Sequence, residues 1–184
     1  VIAVNLGSGS SNISDKVSNV DVFAYNNVDL TCSAEKLPFR NESVDVIVNI
    51  AVLEHLPHPE SVIDEFYRIL KKDGVIYLHF PFIQGFHASP DDFSRRTYEG
   101  IKVLLKDFEE LDIHISGGPT SGFLWIFQEW IAIVLSFGIK PLYLVIFLAS
   151  MLVTFPLKFL DIILRHHPMA KNIASGFVFT GKKR

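Results

Sequence analysis

The feature that most constrains the fold is the regular alternation of short β-branched segments with amphipathic ones. The segment VDVIVNIAV, residues 44–52, is typical of a buried strand because valine and isoleucine fill most of it. It is followed by PESVIDEFYRILKKDG, residues 59–74, whose apolar side chains recur at helical spacing, and then by the strand-like VIYLHFPF, residues 75–82. This alternation predicts a parallel sheet with helices on its faces, an α/β doubly wound fold.

Further elements are predicted on either side of this pattern. Pro59 suits the first turn of the helix 59–74, and Gly74 suits a left-handed residue that ends it. Residues 90–108 have the pattern of a second helix with two acidic residues in its first turn. Additional strands are predicted at residues 1–6, 20–25, 28–34 and 111–116 and in the closing segment ASGFVFTGKKR.

Charge and hydropathy divide the chain into two unlike parts. Residues 1–119 carry 10 basic and 18 acidic side chains, as in an ordinary soluble domain, whereas residues 120–184 carry 7 basic and 2 acidic ones. The second part also contains two long apolar stretches, residues 123–139 and 141–157. A segment that is both basic and apolar favours a membrane surface over nucleic acid as its partner, so no nucleic-acid partner is expected.

The rest of the composition excludes several classes of protein. The single cysteine, Cys32, excludes a disulfide scaffold and a cysteine-based zinc site, and we expect no bound metal. The 49% share of hydrophobic residues excludes a disordered chain. Because a strand-like segment starts directly at Val1, we expect the natural N-terminus to lie upstream of this residue.

A glycine-containing loop follows the first predicted strand. In Gly7-Ser8-Gly9 the missing side chains allow backbone amides to approach a ligand closely. Asp21 lies at the second predicted strand, where a carboxylate can accept hydrogen bonds from ribose hydroxyls. A loop of this kind, taken alone, is as consistent with a plain structural turn as with a binding site.

Four stretches together resemble the class I S-adenosylmethionine-dependent methyltransferases, most of all the type 11 set. They are VNLGSGS, VDLTCSAEKLPF, the long SVDVIVNIAVLEHLPHPESVIDEFYRILKKDGVIYLHFPF and the closing SGFVFTGKK. The resemblance implies a Rossmann-like sheet of seven strands, mostly parallel with the last strand reversed. It also implies S-adenosyl-L-methionine as the cofactor.

The resemblance further implies which residues bind the cofactor. The glycine loop would line the methionine and ribose, and Asp21 would hold the ribose hydroxyls. Ser33, Ala34 and Glu35 would lie along the adenine. The whole expected set is Asn5, Gly7, Ser8, Gly9, Asp21, Ser33, Ala34, Glu35, Asn49, Ile50 and Ala51.

Three departures from the family pattern affect this site. Asn5 stands where the family usually has an acidic residue, and Ser33 stands where an aspartate is usual. The link from Gly9 to Asp21 is too short for a full helix, so the first helix is expected to be one turn or absent. These departures support a second hypothesis, in which a methyltransferase-like fold serves as a non-catalytic binding or scaffold module.

Candidate catalytic residues come mainly from the segment GFHASPDDFSRRT, residues 85–97, where similar proteins carry histidine, aspartate and arginine. His87 would act as a general base for a hydroxyl acceptor, with Asp92 orienting it, and Arg95 would hold an anionic or sugar-bearing acceptor. His55 would lie at the mouth of the site. The alternative is structural: the acidic residues begin a helix and Arg95 pairs with them.

A nicotinamide-dependent dehydrogenase is a weaker alternative. Tyr98 and Lys102 have the spacing used by short-chain dehydrogenases, but residues four apart fall together on any helix. The dinucleotide-binding glycine pattern is also incomplete, because Asn12 stands at its last glycine. The residues therefore favour the methyltransferase.

The apolar part of the chain is expected to be an insertion. If the final strand returns to the sheet, the chain divides into a core at 1–119, an insertion at 120–170 and a final strand at 171–184. Both ends of the insertion then lie on one side of any membrane. A helical hairpin within one leaflet fits best, because Glu129 would be costly inside a membrane crossing. The alternative is a helical cap or a dimer face, through which the chain would oligomerise.

These patterns combine into one functional prediction. The chain is expected to transfer a methyl group from S-adenosyl-L-methionine to a small-molecule acceptor, or to a lipid- or glycan-linked one, at a membrane surface. Residues 123–165 would contact the membrane. The protein would then be cytoplasmic and either peripheral or monotopic.

Overall fold

The computed structural model describes residues 1–184 and contains one seven-stranded sheet. Its strands are β1 (Ala3–Leu6), β2 (Val17–Asp21), β3 (Leu30–Thr31), β4 (Val44–Ile50), β5 (Leu70–Pro81), β6 (Phe108–Gly117) and β7 (Gly176–Lys183). Across the sheet they are ordered β3-β2-β1-β4-β5-β7-β6. Neighbours among β1 to β5 are parallel, and the last strand, β7, is antiparallel. The expected α/β fold with a reversed last strand is confirmed.

Five α-helices and three short 3-10 turns join these strands. The helices are α1 (Pro59–Ile69), α2 (Tyr98–Leu104), α3 (Pro119–Ser136), α4 (Lys140–Thr154) and α5 (Asp161–Leu164), and the 3-10 turns are Leu53–His55, Phe155–Leu160 and Ala170–Asn172. No helix lies between β1 and β2. The expectation that the first helix is missing or a single turn is therefore confirmed.

The core of the sheet is built by the segments with the strongest pattern. Val4 of β1 lies opposite Ile47 of β4, and both side chains are fully buried. The apolar face of α1 is buried as well, through Val62, Phe66 and Ile69. Each such side chain contributes about 1.5–3 kcal/mol when it leaves water. Residues 59–69 therefore form a helix because its apolar face can be buried in the core.

The end of α1 differs from the expectation. The helix ends at Ile69, and the following residues Leu70–Pro81 form β5, so Gly74 lies inside a strand. The reason is a long-range pairing: Leu70 is fully buried and lies opposite Val44 of β4. The left-handed conformation expected at Gly74 occurs instead at Asp73, with φ of 60°.

The second helix is shorter than expected. The pattern predicted a helix over 90–108, but α2 begins at Tyr98. The side chain of Thr97 accepts a hydrogen bond from the backbone N–H of Gly100 at 3.1 Å, which is the N-cap arrangement. The acidic residues Asp91 and Asp92 therefore lie in the preceding loop, and the idea that they begin the helix is wrong.

The chain divides into two compact units. The first comprises residues 1–80, 88–114 and 178–184, with α1, α2 and most of the sheet. The second comprises residues 81–87 and 115–177, with α3, α4 and α5.

In the second unit α3 and α4 pack along each other as a helical hairpin. The chain reverses between the two helices at Phe137 and Gly138, whose φ angles are 49° and 79°. Pro141 lies in the first turn of α4, where a missing N–H costs nothing. Within this unit the backbone of Ser175 also donates to Gly117, at 2.9 Å, so both ends of the unit are joined.

Candidate active site

A cavity of about 320 Å³ opens in the first unit beyond the carboxyl ends of β1, β2 and β4. This edge of a parallel α/β sheet is where ligands bind as a rule, because the strand order reverses there. The residues that line the cavity are Leu6, Gly7, Gly9, Val20, Asp21, Val22, Phe23, Tyr25, Cys32, Ser33, Ala34, Ala51, Val52, His55, Leu56, Ser89 and Pro90.

The glycine loop after β1 forms one wall of the cavity. Gly7 has φ of 71°, and its N–H donates to the carbonyl of Val20 at 2.8 Å. A Cβ atom at this position would lie 2.3 Å from Cγ2 of Val52. Only glycine therefore fits here. Gly9 has φ of 53°, but a Cβ there would meet nothing within 4 Å.

Asp21, the last residue of β2, brings a carboxylate to the cavity. Its Oδ2 accepts from the N–H of Gly9 at 2.8 Å, and its Oδ1 accepts from the N–H of Phe23 at 2.9 Å. These two bonds orient the carboxylate and tie the glycine loop to β2. Each oxygen keeps a second lone pair, so the group can also accept hydrogen bonds from a pair of ligand hydroxyls.

Three asparagines hold the glycine loop from behind. The buried Asn5 donates through Nδ2 to Oδ1 of Asn19 at 3.0 Å, and Asn19 donates to the carbonyl of Asn27 at 3.1 Å. Asn27 in turn donates to the carbonyls of Gly9 at 3.1 Å and Ser11 at 2.8 Å. Asn5 does not line the cavity. Its place in the network explains how an amide fits where the family has an acidic residue.

The remaining expected cofactor residues divide between the wall of the cavity and the layer behind it. Ser33 and Ala34 after β3, and Ala51 after β4, line the cavity. The fully buried Asn49 donates to the carbonyl of Leu6 at 2.9 Å and so joins β4 to the start of the glycine loop. The expected residues outside the lining are Asn5, Ser8, Glu35, Asn49 and Ile50.

Several lining residues were not expected from the sequence. Phe23 and Tyr25 follow the acidic end of β2, and their rings meet edge to face with centroids 6.2 Å apart. The sequence signal that could have identified them is an aromatic pair directly after that acidic residue. Ser89 and Pro90 had none, because their place depends on a loop distant in sequence. Burial raises the pKa of the Cys32 thiol, so the thiol stays protonated at neutral pH.

His55 reaches the cavity from the 3-10 turn after β4. Its Nδ1 lies 2.6 Å from the carbonyl oxygen of Asp91, and the N–H of Phe93 donates to the carbonyl of Glu54 at 2.8 Å. The loop before α2 therefore holds this turn in place. A carbonyl can only accept, so Nδ1 carries the proton and Nε2 is the basic nitrogen.

The other expected catalytic residues do not line the cavity. Asp92 and Arg95 form a two-bond ion pair, in which Nη2 and Oδ2 are 2.6 Å apart. The structural alternative for Arg95, pairing with an acidic neighbour, is thus confirmed for Asp92. His87 belongs to the second unit, where its Nδ1 lies 2.9 Å from the carbonyl of Gly85 and its ring lies 6.0 Å from that of Trp125.

The strand order and the cavity can now be compared with known proteins. Residues 3–78 match the family model described as a methyltransferase domain. This part of the chain, about two fifths of its length, is therefore similar to a methyltransferase domain. The matched residues include the glycine loop, Asp21 and the turn that carries His55.

One curated relative and many solved structures are similar to this chain. An uncharacterised protein of Haemophilus influenzae is 41% identical over 49 residues, which are 26% of this chain and 20% of that protein. The match therefore spans about a fifth of the relative's length.

Among solved structures, the (4+2)-cyclase SpnF aligns with the whole chain and 75% of its own, at a TM-score of 0.60 and 17% identity. An S-adenosylmethionine-dependent methyltransferase from Thermotoga maritima aligns with 100% of this chain and 82% of its own, at a TM-score of 0.55 and 16% identity. Phosphoethanolamine N-methyltransferase 2 from Haemonchus contortus, in complex with S-adenosyl-L-methionine, aligns with 98% of this chain and 48% of its own. Its TM-score is 0.57 and its identity is 13%. At identities this low, the structural matches establish a shared fold alone.

Proposed function

We propose that the chain binds S-adenosyl-L-methionine in the cavity and transfers its methyl group to an acceptor. The observation that carries the proposal is the carboxylate of Asp21, oriented by two backbone N–H groups beside the glycine loop of a methyltransferase domain. The cavity of about 320 Å³ is of the size that small-molecule ligands occupy. The Haemonchus contortus enzyme with bound S-adenosyl-L-methionine supports this choice of cofactor.

The residues of the cavity fit the parts of this cofactor. Asp21 would accept hydrogen bonds from the two ribose hydroxyls, and the backbone at Gly7 would lie along the methionine. Ser33 and Ala34 would border the adenine together with Phe23. The expected residues outside the lining would act by positioning; they are Asn5, Ser8, Glu35, Asn49 and Ile50.

The chemistry asks for alignment and for a base. When bound, S-adenosyl-L-methionine would supply an activated methyl group on a sulfonium, so the residues of the chain would need only to align the acceptor and to take up its proton. His55 would take the proton of a hydroxyl or ammonium acceptor on Nε2, because Nδ1 is held by the carbonyl of Asp91. Arg95, Asp92 and His87 remain our further candidates for acceptor contacts.

We propose that the acceptor is a small molecule, or a lipid- or glycan-linked group, met at a membrane surface. The support is the second unit. By length and composition, the 25-residue helical segment Lys140–Leu164, which comprises α4, a 3-10 turn and α5, could cross a membrane, and only 6% of its most apolar part is buried. Core helices of soluble proteins also pass this test, but they are mostly buried. This surface, residues 123–165, would bring the protein to the bilayer as a peripheral or monotopic protein.

A second function is favoured by one specific comparison. SpnF has the same fold and is a cyclase by its description, so this fold does not by itself require methyl transfer. The replacement of the usual acidic residue by Asn5 fits that view. The second candidate is therefore a membrane-bound binding or scaffold module that has lost methyl transfer.

Titration calorimetry tests the proposed cofactor site. We expect saturable one-site binding of S-adenosylhomocysteine and none of NAD, and at least a tenfold weaker affinity in the Asp21→Ala variant. Asp64→Ala, an exposed site on α1, is the matched control and should bind as the parent chain does. Transfer of labelled methyl groups into lipid extracts then separates enzyme from scaffold. Unchanged affinity in Asp21→Ala would overturn the proposed site.

A further inference from the structure

The hairpin of the second unit has its polar side chains inside and its apolar ones outside. Between the helices, Nε2 of the buried Gln128 donates to Oγ1 of Thr154 at 2.6 Å, and the hydroxyl of Tyr143 donates to the carboxylate of Glu129. Apart from Leu124, the other buried residues of α3 are small. Its buried residues further along the helix are Ala132 and Ser136.

The outer surface of the hairpin is the opposite. Leu152 and Val153 of α4 are 78% and 77% exposed, and the tip residue Phe137 is 85% exposed. A hairpin that is stable in water buries its large aliphatic side chains and exposes its polar ones. In hydrocarbon the preference reverses, because lipid solvates aliphatic groups while small and polar residues join the helices. The arrangement here is the second kind.

The exposed charges of this unit are all positive. Lys140, Lys158, Arg165 and Lys171 are exposed. The unit has two acidic residues, and both are turned inward: Glu129 accepts from Tyr143, and Asp161 accepts from the first turn of α3. This pattern is complementary to the phosphates of anionic lipids and not to a basic or neutral protein partner.

The two arms of the hairpin start and end at the same place. Asp161, the first residue of α5, follows the second arm after the 3-10 turn Phe155–Leu160 and accepts from the backbone N–H groups of Thr120 at 2.8 Å and Ser121 at 2.9 Å. The first arm, α3, has 18 residues, or about 27 Å of helix, which is less than the hydrocarbon thickness of about 30 Å. Lys140 stands at the tip. If the hairpin crossed the bilayer, Lys140 would have to pass through the hydrocarbon. The first arm would also be too short to span it.

We propose that the hairpin α3–α4 is embedded in one leaflet of an anionic membrane, with acyl chains against its outer aliphatic surface and its cations at the phosphates. The inference deepens the membrane part of the proposed function and does not depend on methyl transfer. The hairpin contributes its own polar contacts, so it enters the lipid as a preformed unit.

Vesicle flotation tests the occupant of this surface. We expect the full chain to float with phosphatidylcholine vesicles and to bind at least threefold more tightly when a third of the lipid is phosphatidylglycerol, with the difference lost in high salt. Leu152→Glu combined with Val153→Glu should lower partitioning at least tenfold, because both side chains face outward. Val103→Glu, at a 72% exposed position of α2, is the matched control and should float normally.

Other results would overturn the proposal. A chain that stays monomeric and soluble without lipid and does not float would exclude the membrane. A dimer whose dissociation requires Leu152→Glu, with no flotation, would show that a second copy covers the surface. Because flotation needs no cofactor, either result would leave methyl transfer to be judged by the titration with S-adenosylhomocysteine.

Two further measurements test how deeply the hairpin enters the bilayer. The chain has two tryptophans, so Trp125→Phe leaves Trp130, which is 58% exposed on α3, as the sole fluorophore. Brominated acyl chains should quench it strongly, and no quenching would contradict embedding. Lys140→Cys in a Cys32→Ser background should react with an impermeant maleimide added outside sealed vesicles. Reaction only after the vesicles are lysed would show that the hairpin crosses both leaflets.

Discussion

Asn27 shows how single polar groups replace a missing element. In the absence of a helix after β1, the carbonyls of Gly9 and Ser11 have no helical partners, and one side-chain amide serves both. Asn5 and Asn19 extend the same chain of hydrogen bonds into the sheet. Networks of this kind fix a loop only when every member is paired, so the glycine loop depends on side chains that do not line the cavity.

Gly7→Ala tests the closeness of this packing. We expect loss of S-adenosylhomocysteine binding and a lower melting temperature, because the new Cβ would lie 2.3 Å from Cγ2 of Val52 in a backbone with φ of 71°. Gly9→Ala is the matched control: it has the same sign of φ but no neighbour, so it should cost only about 1 kcal/mol. Calorimetry and thermal denaturation measure both. Equal effects would show that backbone conformation alone decides.

At the scale of elements, α3 depends on a residue far along the chain. Its N-cap position is Gly118, which has no side chain to offer, and the first N–H groups are satisfied by Asp161 instead. A Cβ at Gly118 would lie 2.4 Å from the Asp161 carboxyl carbon, so the glycine makes room for this cap. Burial alone would raise the pKa of Asp161, but the hydrogen bonds from Ser121 and Thr120 outweigh it and lower the pKa.

The pH dependence of the second unit follows from this lowered pKa. A carboxyl whose pKa is lower in the folded state stabilises that state above its ordinary pKa of 3.8, and the stabilisation disappears as the pH falls through the folded value. Asp161→Asn should therefore destabilise the hairpin by about 2 kcal/mol at pH 7 and by much less under strongly acidic conditions. Near-ultraviolet circular dichroism of lipid-bound protein during heating measures this. Asp64→Asn, on an exposed site, should show neither effect.

At the scale of the whole molecule, the last strand closes the first unit on itself. Lys183 donates through Nζ to the carbonyl of Leu70 at 2.9 Å, pairs with Glu42 at 3.2 Å and lies over the ring of Tyr67 at 4.7 Å. These partners precede it by more than a hundred residues. The antiparallel return of β7 therefore brings a buried cation to the point where α1 gives way to β5.

Lys183→Ala tests this closure. We expect a loss of about 2 kcal/mol, because a carbonyl loses a charged donor in a buried place, and hence a fall of several degrees in the melting temperature of the first unit. Lys182→Ala is the matched control. Its ion pairs with Asp73 and Glu109 are surface contacts, worth less than about 1 kcal/mol. Equal melting temperatures for the two variants would contradict the role given to Lys183.

The sequence by itself determined the elements whose cause is local. β-branched runs, the amphipathic face of 59–69 and the glycine loop with Asp21 all depend on neighbours within one element, so they could be predicted together with the α/β class. The same holds for the two apolar helices, whose composition admits little else. The resemblance to a known family then predicted the reversed last strand and supplied the proposed cofactor residues.

The remaining features were decided only by the tertiary structure, because they depend on contacts between segments that are distant in the sequence. Residues 70–74 carry a helix-ending pattern, but Leu70 becomes a strand residue because β4 offers it a buried partner. Asn5 looked like a cofactor ligand and became a support, because its partner Asn19 is set by strand register. Asp161 caps a helix that begins 42 residues earlier in the chain. In each case the deciding free energy comes from a contact that local sequence does not contain.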